Sequence, residues 1–228
     1  MSERSYHHGN LRTELLDQAE RSVIASGVED LSLRALARDL GVSHGAPRRH
    51  FADRAALLEA LAVRGFESLS ERIAEALGDA GSSFEARLRA IAHTYIAFTA
   101  GRMPLVELMF ASKHREGTDA TRAAAHAAYT VPFEAVAAAR RDGELGTGDE
   151  QAAGRLVFST LHGLAVLLNS GMIAGDDVTA VVDTTVDGLL TGLLPRAQGG
   201  SPTATATATA TAATGTAATG TATVKRQG

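Results

Sequence analysis

The densest chemistry in the chain lies between Ser32 and Arg54. Five arginines (Arg34, Arg38, Arg48, Arg49 and Arg54) stand there against two aspartates, a local charge of +3 in a chain whose formal net charge is −4. Arg48, Arg49 and His50 fall within one turn of chain. Guanidinium groups offer forked donors that match phosphate oxygens and the edge of guanine, so such a cluster suits nucleic acid. Arginines on a helix face are otherwise merely solvated, and what favours recognition is the frame that must hold them. The acidic balance of the whole chain argues against bulk coating of nucleic acid and places any such site in this local concentration.

The frame is legible in the punctuation. Ser32 is an N-cap type preceding Leu33, Leu36, Ala37 and Leu40 on one helical face, and Gly41 stops that segment. Val42 can plug a corner, and Ser43 is expected to cap a second helix running from His44 to Phe51. Ala37 is small enough for the two helices to cross closely, so the pattern is a helix-turn-helix. Pro47 falls in the first turn of the second helix, where a missing N–H costs little, so that helix is expected to survive it. Before this motif, Asn10 caps a helix with Leu11, Leu15, Leu16, Ala19 and Val23 at helical spacing, ended by Gly27. After it, Asp53 caps a long helix with Leu57, Leu61, Leu69, Ile73 and Leu77 along one side.

Within this frame His44, Arg48 and Arg49 are the candidates for base edges, and Ser32, Arg34, Ser43, His50 and Arg54 for phosphate. Gly45 lets the backbone approach a groove, and Phe51 is core against Leu36 and Leu57. Arg4 has the character of a minor-groove arm or of an untethered end. The stretch from Tyr6 to Leu69, above all Leu31-Ser32-Leu33-Arg34-Ala35-Leu36-Ala37 with Gly41-Val42-Ser43 and Arg49-His50-Phe51, resembles the DNA-binding domain of the TetR family of bacterial transcriptional regulators. Many members carry a tyrosine just before the basic-His-Phe run. Arg48 stands there in this chain, which implies stronger and more salt-dependent backbone contact. Phe158-Ser159-Thr160-Leu161-His162-Gly163 resembles the Trp-x-x-x-His-Gly signature of one subgroup, with Phe158 in the tryptophan position.

Beyond Leu77 every segment reads as helix. Ser82 with Glu85 has the form of a capping box ahead of Phe84, Leu88, Ile91, Tyr95 and Phe98; Pro104 opens a short helix; and a segment from Asp119 to Arg140 should kink or break at Pro132. Two final helices, Asp149 to Ser170 and Asp177 to Leu194, are apolar on more than one side, so one face can meet the core and another a second copy of the chain. Tyr95, Phe98, Met103, Met109, Phe110, His114, His126, Tyr129, Phe133 and His162 are singly ordinary core residues, but together they could line a small-molecule pocket. Gly163 is the type that admits a close helix crossing.

The expectation is an all-α protein: a helix-turn-helix DNA-binding domain over 1–55, a helical ligand-binding and dimerisation domain over 56–197, and a disordered Thr/Ala-rich tail over 198–228. The resemblance implies a homodimeric repressor, joined through its last two helices, that binds a palindromic double-stranded operator and is released by a small-molecule effector. The chain has no cysteine, and its eight histidines show no ligand spacing. A Gly-rich phosphate loop, a Gly-x-Ser-x-Gly elbow and His-Glu-x-x-His are all missing, so neither catalysis nor a metal or other cofactor is expected. A polar N-terminus and the lack of about 18 uninterrupted apolar residues point to the cytoplasm rather than a membrane. A helical interaction module that keeps the motif only as scaffold is the competing class.

Overall fold

The computed structural model of the protein describes residues 11–113, 118–146, 148–173 and 177–193. These form α1 (Leu11–Ser26), α2 (Leu33–Asp39), α3 (Arg54–Asp79), α4 (Phe84–Thr99), α5 (Met103–Ser112), α6 (Asp119–Arg141), α7 (Glu150–Asn169) and α8 (Val178–Leu193), with a 3-10 turn at Pro47–Arg49. No strand occurs among the described residues. Asn10, Arg4, His114, Leu194 and the Thr/Ala-rich tail lie outside them.

The long α3 organises the molecule. Its apolar side buries Leu57, Leu61, Phe66, Leu69 and Ile73, and α1, α4, α5 and α6 pack around it. The helix-turn-helix and the C-terminal helices therefore share one element and one continuous apolar cluster that runs from Leu15 to Leu190, and the expected boundary at 55 falls inside α3. Two glycines let helices meet closely. A Cβ on Gly65 of α3 would lie 2.6 Å from the Met109 sulfur of α5, and one on Gly154 of α7 would lie 2.4 Å from the Phe133 ring of α6. Gly163, by contrast, is exposed and faces open space, so it serves no crossing inside this chain.

Several local expectations shift. The residue that caps α4 is Ser83, whose Oγ accepts from the Ala86 N–H; Glu85 pairs with Arg89 instead of closing a box with Ser82. The Phe84 N–H is taken by the Glu144 carboxylate at 2.7 Å, which ties the start of α4 to the end of α6. Pro132 does not break α6, which stays helical from Asp119 to Arg141 because neighbouring helices hold both of its halves. By length and composition α7 is apolar enough to cross a membrane, although Arg155 and His162 interrupt its apolar run and Val157, Leu161, Leu164 and Ala165 are buried in the helical core.

Candidate nucleic-acid interface and ligand cavity

At the α2 end the backbone is set by capping chemistry. Ser32 Oγ accepts from the Ala35 N–H at 3.2 Å, starting the helix. Gly41 takes φ +68°, the Gly41 N–H reaches the Arg38 carbonyl at 3.1 Å, and the Val42 N–H reaches the Ala37 carbonyl at 2.9 Å. That pair of bonds is the Schellman closure of a helix, and it needs a residue that tolerates a left-handed backbone. Ala37 is fully buried, and Leu36 and Phe51 sit in the core as expected.

The second element of the motif is not the helix expected from His44 to Phe51. Residues 44–46 form a turn, only Pro47–Arg49 is helical, as a single 3-10 turn, and Ser43 accepts the Ala46 N–H through its backbone carbonyl with no side-chain cap. Gly45 costs helix stability, and Pro47, buried here, supplies no N–H to an α-helical ladder. The residues Ser32, Arg34, Ser43, His44, Arg48, Arg49 and His50 are all exposed, and the Gly45 backbone is open. Among the described residues no ion pair occupies Arg34, Arg48 or Arg49, so their charge is free to meet an external anion.

Arg54, expected at a phosphate, has an internal role as well. Its Nε donates to the Leu31 carbonyl at 2.9 Å and its Nη2 to the Val28 carbonyl at 2.5 Å, so its guanidinium is committed to the loop between α1 and α2. The loop's carbonyls have no helical partners, and the arginine fork satisfies them. Arg54 thereby fastens the first turn of α3 to the helix-turn-helix.

Farther along α3 lies an apolar cavity of about 40 Å³. Leu69 and Ile73 of α3, Ile91 and Tyr95 of α4, Tyr129, Pro132 and Phe133 of α6, and Val157, Phe158 and Leu161 of α7 form its wall. Tyr95, Tyr129 and Phe133 were expected in such a lining. Phe110 and His162 stand just behind it: the Phe110 ring is 6.1 Å from Tyr129 and 5.8 Å from Phe158, and His162 Nδ1 shares a 2.8 Å hydrogen bond with the Tyr95 hydroxyl. Phe158 stacks on His162 at 5.5 Å, one turn apart on α7. Burial holds His162 below its ordinary pKa, helped by the positive charge of Lys113, and burial pushes both tyrosines upward.

Other expected lining residues lie elsewhere. Phe98 and Met109 are buried away from the cavity wall, Phe98 beneath the guanidinium of Arg102 at 5.0 Å and Met109 against Gly65. Met103 is half-buried at the start of α5. His126 is exposed, bonded to Thr130, and lines an open outer groove that meets the cavity wall at Tyr129 and Phe133. Sequence reasoning missed Lys113, whose Nζ stands 4.9 Å from the Phe110 ring centroid and 5.3 Å from that of Tyr129. Its signal was rarity: it is one of only two lysines among 22 basic residues. No group of three metal-ligating side chains comes together among the described residues.

Comparison with known proteins gives this arrangement a lineage. Residues 15–61 match the family described as bacterial regulatory proteins, tetR family, and residues 88–189 match the tetracyclin repressor-like C-terminal domain. A solved structure of a protein with unknown function from Rhodococcus sp. RHA1 shares 40% identity over 84% of this chain and all of its own, with a TM-score of 0.78. A putative TetR-family transcriptional regulator from Vibrio parahaemolyticus matches the fold at 18% identity and a TM-score of 0.65, over 81% of this chain and 99% of its own. The transcriptional regulator FadR from Bacillus subtilis, solved in complex with stearoyl-CoA, does so at 15% and 0.66, over 79% and 98%. No curated protein sequence matches the chain. With its helix-turn-helix and its C-terminal helices both matched, the chain belongs to the TetR family of DNA-binding transcriptional regulators, which are not enzymes.

Proposed function

We propose that the protein is a homodimeric repressor that holds a palindromic operator and lets it go when a small apolar molecule enters the cavity between α3, α4, α6 and α7. One observation carries this reading: α3 belongs to both ends. Arg54 fastens its first turn to the helix-turn-helix, while Leu69 and Ile73 wall the cavity, about 22 and about 28 Å along the helix. A cavity of about 40 Å³ is far smaller than the roughly 300 Å³ and upward of a ligand-filled pocket. A ligand must therefore push its walls apart, and α3 is one of the walls. Arg102 at the start of α5 adds a second link, because it pairs with Glu20 of α1, which also lies 3.8 Å from Arg64 of α3. Two recognition surfaces must sit about 34–36 Å apart, or a multiple, to enter successive grooves on one face, so a modest tilt of α3 in each subunit disengages both.

The second copy is expected on α7 and α8. Leu156 and Val166 of α7 are 47% and 42% exposed, Gly163 is open between them, and Val178 and Gly188 of α8 are also exposed. An apolar face centred on a bare glycine suits close helix packing against its own image, a four-helix arrangement across a two-fold axis.

Recovery of bound fragments from the source genome, followed by fluorescence anisotropy on the recovered duplex, tests the reading. A symmetric site bound by two chains, with an affinity that a bound small molecule lowers, is the expected result. Linkage requires the operator to weaken that molecule's binding by the same factor, and an equal ligand affinity with and without saturating operator would falsify release. Sedimentation of Leu156→Arg should show a monomer, and a dimer that survives this change removes α7 from the interface.

A further inference from the structure

The aromatic cluster beside the cavity contains two groups that the fold leaves uncompensated. The Tyr129 hydroxyl is buried and has no hydrogen-bond partner among the described residues. A buried hydroxyl without a partner costs stability, so its retention needs a reason. Lys113 follows the last turn of α5 with its ammonium over the rings of both Phe110 and Tyr129, and no carboxylate among the described residues pairs with it. The faces of two aromatic rings offset part of its lost hydration but supply no negative charge. Burial holds its pKa down, and its charge in turn helps to keep the neighbouring His162 neutral. The ammonium and the unpartnered phenol thus share one ring platform, the one that continues into the apolar wall through Phe158.

We infer that the effector is an apolar acid, its carboxylate received by the Lys113 ammonium and the Tyr129 hydroxyl and its apolar body filling the cavity. The inference rests on the proposed reading of that cavity as the effector site. A carboxylate supplies both missing partners at once: a negative charge for the ammonium and an acceptor for the phenolic O–H. The opposite approach disfavours an anion, because the outer groove beyond Tyr129 and Phe133 carries Glu134 and Glu150. The head group therefore belongs at the α5 end and the apolar body toward Leu69, Ile73 and Ile91.

Calorimetric titration of the full chain with decanoate and 2-naphthoate, each beside its primary amide, tests this. The acids should bind about tenfold or more tightly than the amides, the difference a charge-assisted pair supplies. Lys113→Met should erase the preference while leaving amide binding in place. Tyr129→Phe should weaken acid binding several-fold and at the same time leave the melting temperature of the ligand-free protein equal or higher, since it deletes an unpartnered hydroxyl. A purely structural tyrosine would show neither the selective loss nor the gain. Equal binding of acid and amide to the unaltered chain, or a preference that survives Lys113→Met, overturns the acid inference and leaves the cavity reading standing. Failure of all four probes to bind overturns both.

Discussion

Arg48 and Arg49 are adjacent on a 3-10 turn, whose side chains step round by about a third of a circle per residue. They therefore cannot present the same surface to a duplex, and the proposed complex gives them different work. Arg49→Ala should lower specific affinity by about 1–3 kcal/mol and relax the preference at one base pair in each half-site. Arg48→Ala should weaken every duplex alike and reduce the salt slope by about one per subunit, as loss of a phosphate contact does. Anisotropy titrations on operator and random duplex at several salt concentrations separate the two, and identical behaviour of the variants would refute the division. Arg54 differs from both because two of its five donors are engaged by Leu31 and Val28; Arg54→Ala should lower the melting temperature as well as DNA binding.

At the scale of elements, the contact between α6 and α7 turns on Gly154. A methyl group there would fall 2.4 Å from the Phe133 ring, so Gly154→Ala must displace a ring that stands between the cavity and the outer groove. The expected cost is about 1–3 kcal/mol of stability from overpacking, with a changed ligand response and an unchanged operator affinity in the absence of ligand. Thermal melts with operator-release curves check it; an unaltered response would remove Phe133 from the entry path. The capped helices were legible beforehand because their signals are local: Ser32, Gly41 and Asp53 each act within four residues of chain. The second helix of the motif was not, since Gly45 and Pro47 outweigh the cap signal of Ser43 and shorten it to one turn. Ring chemistry was legible as type but not as place. Tyr95, Tyr129 and Phe133 reach the cavity wall, whereas helical phase turns His126 to solvent and buries Phe98 beneath Arg102. Lys113 acquires its setting from α6 and α7, segments distant in sequence, so no local pattern announces it.

Across the whole molecule, acid should act through two groups of the same sign. Asp183 of α8 is held below the usual carboxylate range, chiefly by its hydrogen bond from His93 of α4 and then by Arg89, which also reaches Asp187. His162 is held below its ordinary value by burial. Both folded values lie below the unfolded ones, so each contribution is complete above the unfolded pKa and fades as pH falls toward the folded one. The melting temperature should accordingly begin to drop below about pH 6.5 as unfolded histidine gains protons, and drop further below about pH 4 with the carboxylate. Asp183→Asn should flatten only the lower step, and a melting curve that ignores pH over this range contradicts both assignments.

The smallness of the cavity has a volumetric consequence. Proteins shrink by roughly 20–100 mL/mol on unfolding, a change that grows with the unfilled interior space that unfolding eliminates. Hydrostatic pressure favours whichever state occupies less space, so the empty protein carries a built-in susceptibility to compression at the junction of α3, α4, α6 and α7. An occupant that fills the space removes part of that susceptibility. High-pressure unfolding monitored by tyrosine fluorescence should therefore show a smaller volume change for the ligand-bound protein than for the empty one, and the helix that pressure releases first should be one of those four.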